Sequence, residues 1–204
     1  MPAAPTTPQI ILASASPRRL ELLDQIAVRA IMQAVDIDES RKAGESILDF
    51  VQRLAIEKAQ HGFTLIKNQQ KLPVLGADTV IEIEDTVLGK PENRQHAKQM
   101  LQKLSGKNHT VHTSVAIVTE GKTIADICST RVAFKQLTEF EIDGYLATGE
   151  ADDKAGSYAI QGIAAQFITN INGSYSGVMG LPLYETAELL TQCGVSLLNE
   201  EKQK

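Results

Sequence analysis

The sequence predicts an α/β fold with a mixed β-sheet and flanking helices. Strand-like apolar runs alternate with stretches of helical period, some strand-like runs are joined directly by tight turns, and no linker divides the chain cleanly. In order, residues 9–13 form a short apolar run, read as a buried strand. Residues 17–26 carry Leu20, Leu23 and Ile26 at near-helical spacing. Residues 47–60 form an amphipathic helix, opened by Ser46 with Asp49 in a capping-box pattern. Residues 73–83 form a long strand that turns at Glu84 and Asp85 into a short strand over 86–88.

A helix over 94–104 stops near Gly106. Residues 109–118 and 122–134 are strands around a turn at Glu120 and Gly121. Thr138 and Glu141 cap a helix that runs to about residue 147. Residues 166–171 are a strand ended by the turn pair Asn172 and Gly173. Pro182 opens the last helix as its first residue, and Gly194 ends it.

Composition narrows the function classes. The net charge of −5 disfavours a protein whose main task is to grip nucleic acid, and the lack of tryptophan disfavours a base-stacking platform. No apolar run approaches the roughly 20 residues that span a bilayer. Cys128 and Cys193 stand far apart and suggest no disulfide framework. They read as small apolar filler in a reducing, cytoplasmic compartment. Residues 1–8 are Pro- and Ala-rich without the charged start of a signal peptide, and are expected to be a disordered lead-in to a domain over 9–204.

The run Ser14-Ala15-Ser16-Pro17-Arg18-Arg19 follows a strand and opens a helix, with Ser16 as N-cap and Pro17 as first helical residue. Arg18 and Arg19 then fall in the first turn, where the helix dipole disfavours cations. An anion between them resolves the conflict, and phosphate matches both backbone N–H groups and guanidinium forks. The competing reading turns both arginines to solvent or to acids elsewhere. Lys58 follows Ile47, Val51 and Leu54 on the apolar helix face, so its amine either snorkels outward or points into a cleft.

Asp78 lies inside an apolar strand and shares a face with Val74, Gly76 and Val80. A lone buried carboxylate costs several kcal/mol, so Asp78 needs a cation, a metal or strong donors. The competing reading is a strand-end aspartate capping a turn, but the apolar run continues to Ile83. Gly76 leaves room for a ligand or another backbone, and Thr79 points to the opposite face. Downstream, Gly89-Lys90-Pro91 holds a lysine on a stiff bend.

These motifs together resemble the Maf family of nucleoside triphosphate pyrophosphatases. The resemblance rests on Ser14 to Arg19, Asp38-Glu39, Glu57-Lys58-Ala59, Gly76-Ala77-Asp78-Thr79 and Gly89-Lys90-Pro91. It continues through Leu104-Ser105-Gly106, Asp153-Lys154-Ala155-Gly156-Ser157-Tyr158, Ile160-Gln161-Gly162 and Gly180-Leu181-Pro182. It implies an elongated structure of two lobes around a deep cleft, similar to inosine triphosphate pyrophosphatases.

The resemblance further implies that Asp78 is the general base and that Glu39 and Asp78 hold a divalent metal, magnesium or alternatively manganese. Arg19, Lys58, Lys90, Ser14 and the first loop would hold the triphosphate. Arg18, Thr79 and Gln161 match the branch that acts on dTTP and UTP. Gln161, with both a donor and an acceptor, would read the pyrimidine edge. The resemblance also allows a homodimer. The implied reaction is attack by water at the α-phosphorus with release of pyrophosphate, a step in nucleotide-pool sanitation.

Other readings fare worse. Gly121-Lys122-Thr123 imitates the end of a P-loop, but Ala116 holds the earlier glycine position and the segment reads as a hairpin. No Gly-x-Gly-x-x-Gly follows the first strand. His109 and His112 are too few for a metal site and are expected to decorate a strand, while His61 and His96 read as helix-surface residues. The rival class is a non-catalytic nucleotide-binding regulator of septum formation, which would use the same cations but have no turnover to lose on Asp78→Asn.

Overall fold

The computed structural model describes residues 7–66 and 72–197. Among these residues seven strands form one sheet in the order β2-β1-β3-β5-β6-β7, with β4 paired to β3. They are β1 (Ile10–Leu12), β2 (Ala30–Met32), β3 (Val74–Ile83), β4 (Thr86–Leu88), β5 (Asn108–Thr119), β6 (Lys122–Phe134) and β7 (Ile168–Asn172). The helices are α1 (Pro17–Gln25), α2 (Ile47–Ile66), α3 (Arg94–Leu104), α4 (Glu139–Leu146), α5 (Tyr175–Met179) and α6 (Leu183–Gln192). β1 runs parallel to β2 and β3, whereas β3–β4 and β6–β7 are antiparallel, so the sheet is mixed as expected.

The chain forms two compact units. Of the described residues, the first holds those up to Asp78, Ser114–Ile127 and those from Gly180 onward. Its packing is tight because small residues meet there. Gly76 on β3 faces α2 so closely that a Cβ would lie 2.4 Å from the Ala55 carbonyl oxygen and 2.6 Å from the Ala59 nitrogen. Gly62 does the same at the far end of α2, where a Cβ would come within 2.9 Å of Ala13 and 3.0 Å of Val74. Helix α2 runs through Gly62 to Ile66 and does not stop near residue 60 as its amphipathic pattern suggested. Here glycine serves close approach and does not break the helix.

The second unit holds Thr79–Thr113 and Cys128–Met179. Its core joins Ile81, Ile83 and Val111 to Met100, Leu101 and Leu104 of α3 and to the rings of Phe134, Tyr145, Tyr158 and Phe167. Edge-to-face stacking of Phe134 on Tyr158, and of Tyr145 on Phe167, orders that cluster. Thr138 and Glu141 form the expected reciprocal capping box on α4. His109 and His112 lie on a strand as expected, and both are buried, because β5 runs between β3 and β6 in the interior of the sheet.

Three other expectations change in detail. Ser16 stands at the N-cap of α1 but caps nothing with its side chain; its backbone N–H donates to Ser14 Oγ at 3.1 Å. Pro182 is the N-cap of α6, one place before the first helical residue. The strand expected from residue 166 begins at Ile168, because residues 163–167 wind into a 3₁₀ turn. Most of the N-terminal lead-in lies outside the described residues. No described helix is long and apolar enough to cross a membrane.

Candidate active site

Within the first unit Glu39, Lys58 and Asp78 converge. Lys58 Nζ lies 2.6 Å from Asp78 Oδ1 and 2.7 Å from Glu39 Oε1, so one ammonium bridges two carboxylates. The lysine does not snorkel outward. Gly76 decides this geometry: with α2 seated on β3, Lys58, next to Ala59, reaches Asp78 two residues along the strand. Burial pushes the Asp78 carboxyl above the usual carboxylate range, while Lys58 and Arg19 pull it back and Glu39 adds a smaller push upward. A buried carboxylate with a raised affinity for a proton and cations beside it is chemically able to accept one.

Arg19 is the second anchor. Its Nε donates to the Gly180 carbonyl at 2.8 Å and its Nη1 to Ser14 Oγ at 3.2 Å. A guanidinium carries about five N–H groups, so these two bonds fix the fork and leave donors for an anion. Burial lowers the Arg19 pKa from its ordinary value, and the nearby Asp78 charge opposes this. Ser14 is itself buried at the end of β1. Arg18 is half-buried on the same helix turn.

The loop bearing Glu39 is tied down from α2. Arg53 makes a fork on Glu45, with Nε 2.6 Å from Oε1 and Nη2 2.9 Å from Oε2. The same side chain reaches Glu57 at 3.0 Å and donates to the Ser40 carbonyl at 3.0 Å. The Arg53 bond holds Glu45 down at about 2. This network places Ser40, the neighbour of Glu39, against the helix. Sequence reasoning missed it, because an arginine and an acid on one helix and a separate loop carry no joint pattern.

Three candidates belong to the second unit. Lys90 is exposed on a bend whose preceding residue, Gly89, accepts from the Gly156 N–H at 3.0 Å. Gln161 is exposed at the head of the 3₁₀ turn. That turn is organised by Glu150, which accepts from the Ile163 N–H at 2.9 Å, the Ala164 N–H at 3.3 Å and the Tyr145 hydroxyl at 3.0 Å. Thr79 pairs its hydroxyl with that of Thr113 at 2.9 Å.

Among the described residues, no three His, Cys, Asp or Glu side chains group as a metal cage. The donor set that exists is smaller. Glu39 and Asp78 aim oxygens at a common cation position, here taken by the Lys58 ammonium. Two hard carboxylates fit a magnesium-like ion that completes its shell with waters and substrate phosphates.

The sequence profile of the Maf-like protein family matches residues 9–193. The chain belongs to the Maf-like protein family. Maf-like relatives are close. A dTTP/UTP pyrophosphatase of Pseudoalteromonas atlantica is 50% identical over 188 residues, covering 92% of this chain and 98% of the relative. A dTTP/UTP pyrophosphatase of Colwellia psychrerythraea is 48% identical over 191 residues, covering 93% and 90%. One of Hydrogenovibrio crunogenus is 47% identical over 184 residues, covering 90% and 95%. A solved structure, the Staphylococcus aureus Ham1 protein, aligns with TM-score 0.45 at 12% identity over 90% of this chain and 96% of that one, a likeness too loose to carry an inference.

Proposed function

We propose that this chain hydrolyses dTTP and UTP to the monophosphate and pyrophosphate with the help of a divalent metal ion. One observation carries the reading: in a member of the Maf-like family, a buried aspartate is held by a lysine that also grips a second carboxylate. The relatives named as dTTP/UTP pyrophosphatases support the substrate class. They favour an enzyme over a non-catalytic regulator of division.

In this reading Asp78 accepts the proton of the water that attacks the α-phosphorus. Arg19, fixed by Ser14 and Gly180, holds the phosphates with Arg18, Lys58, Lys90 and the backbone of the first loop. Their positive charge stabilises what builds up on the leaving pyrophosphate. Glu39 and Asp78 would hold the metal, which when bound offsets phosphate charge and lowers the pKa of coordinated water. Gln161 and Thr79 would read the pyrimidine. The reading also expects magnesium or manganese, a cytoplasmic location and a place in nucleotide-pool sanitation, and it allows a homodimer.

Product analysis tests the proposal. Incubation with UTP and magnesium should yield UMP and pyrophosphate in equal amounts. UDP and inorganic phosphate would assign a different bond and sink the proposal.

A further inference from the structure

The hydroxyl chain at Thr79 has a fixed polarity. Thr113 is fully buried on β5, and its Oγ1 donates to the Gly177 carbonyl oxygen at 2.8 Å. A carbonyl only accepts, and a threonine hydroxyl has one proton, so Thr113 has no second proton to give. Its contact with Thr79 Oγ1 at 2.9 Å must therefore use the Thr79 proton. Thr79 donates inward, Thr113 accepts and passes the polarity on, and Gly177 ends the chain.

We infer that Thr113 is a positioning residue that turns Thr79 into an obligate hydrogen-bond acceptor toward the substrate. The inference rests on the proposed function, in which Thr79 touches the nucleotide. With its only proton spent, Thr79 presents lone pairs alone and selects a substrate donor. Uracil and thymine carry one ring donor, the imide N–H at position 3. Cytosine carries a lone pair at that atom, so two acceptors would face each other there. A sugar hydroxyl is the other donor on a nucleoside triphosphate. Both sources share the same requirement, a donor aimed at Thr79.

Pyrophosphate release is compared for UTP, CTP and dUTP with the wild type, Thr113→Val, Thr113→Ser and Thr79→Val, after circular dichroism confirms each fold. Thr113→Val releases the Thr79 proton, so Thr79 can donate as well as accept. The kcat/KM ratio of UTP to CTP should fall about tenfold, roughly the worth of one hydrogen-bond mismatch. Thr113→Ser keeps the hydroxyl and should restore the wild-type ratio, which a packing defect would not predict. Thr79→Val, which removes the acceptor, should also lower the ratio. If the ratio of UTP to dUTP moves while that of UTP to CTP stays fixed, the donor is the sugar hydroxyl and the acceptor role stands. If Thr79→Val shifts a ratio and a folded Thr113→Val shifts neither, the polarity inference is overturned. If Thr79→Val shifts neither, Thr79 does not read the substrate and the inference falls with it. A wild type that releases no pyrophosphate from any of the three would instead overturn the proposed function itself.

Discussion

Lys58 Nζ lies 2.6 Å from Asp78 Oδ1, and both side chains are almost wholly withdrawn from solvent. A lysine at the end of an apolar helix face and an aspartate inside an apolar strand are each costly alone. Together they satisfy one another, and the shared position with Glu39 gives the first unit its concentration of charge. Lys58→Met should cut kcat/KM about 100-fold, in the range seen when one preorganised electrostatic partner is removed. Steady-state kinetics at saturating metal check this. A loss of less than threefold would remove Lys58 from the machinery.

Gly76 should tolerate no side chain. The added Cβ of Gly76→Ala meets backbone atoms of α2 at 2.4 and 2.6 Å, which no rotamer change relieves. The helix must move off β3, at a cost of about 1–3 kcal/mol. Since Lys58 rides on that helix, turnover should fall along with the urea midpoint. An unchanged midpoint would contradict the packing described.

Arg19 is held by its fork geometry, through Nε to Gly180 and Nη1 to Ser14. A lysine cannot reproduce two directed bonds while still facing an anion. Arg19→Lys should raise KM for UTP about tenfold or more while preserving charge. Equal KM values would show that charge alone suffices.

His109 makes stability depend on pH. Burial among Phe134 and Tyr158 lowers its pKa from 6.5 to about 4. Between those values the unfolded chain binds more protons than the folded one, so stability rises with pH across that window. Acidification through it should remove up to about 3 kcal/mol. The Nδ1 atom has no hydrogen-bond partner among the described residues, while Nε2 pairs with the Tyr158 hydroxyl at 2.8 Å. His109→Gln should flatten the profile between pH 4 and 6.5. A profile of unchanged slope, followed by denaturant midpoints, would rule out His109 as its source.

The long periodic elements were legible in the sequence. Helix α3 and strand β6 fall on their expected bounds, because each carries a sustained pattern between clear turn residues. Strand β2 was not legible: its three residues are partly exposed, and only parallel pairing with β1 makes them a strand. The five-residue helix α5 is too short to show a period. At the site, Lys58, Gly76 and Asp78 betrayed themselves by breaking the apolar pattern of their elements. Glu39 did not, since it sits in a loop where an acid is unremarkable, and only the family resemblance singled it out. The Arg53 network, the Glu150 turn and the Thr113 relay depend on contacts between distant segments, which no local pattern encodes.

The central claim is that Asp78 performs chemistry and does not merely complete an ion pair. Pyrophosphate release from UTP and dTTP, measured for wild type and Asp78→Asn alongside nucleotide binding by calorimetry, tests it most directly. The account predicts that Asp78→Asn still binds nucleotide but loses turnover by at least about 1,000-fold, as expected for a removed general base that also helps hold a metal. Turnover within tenfold of wild type would contradict it, and would leave Asp78 as the structural partner of Lys58.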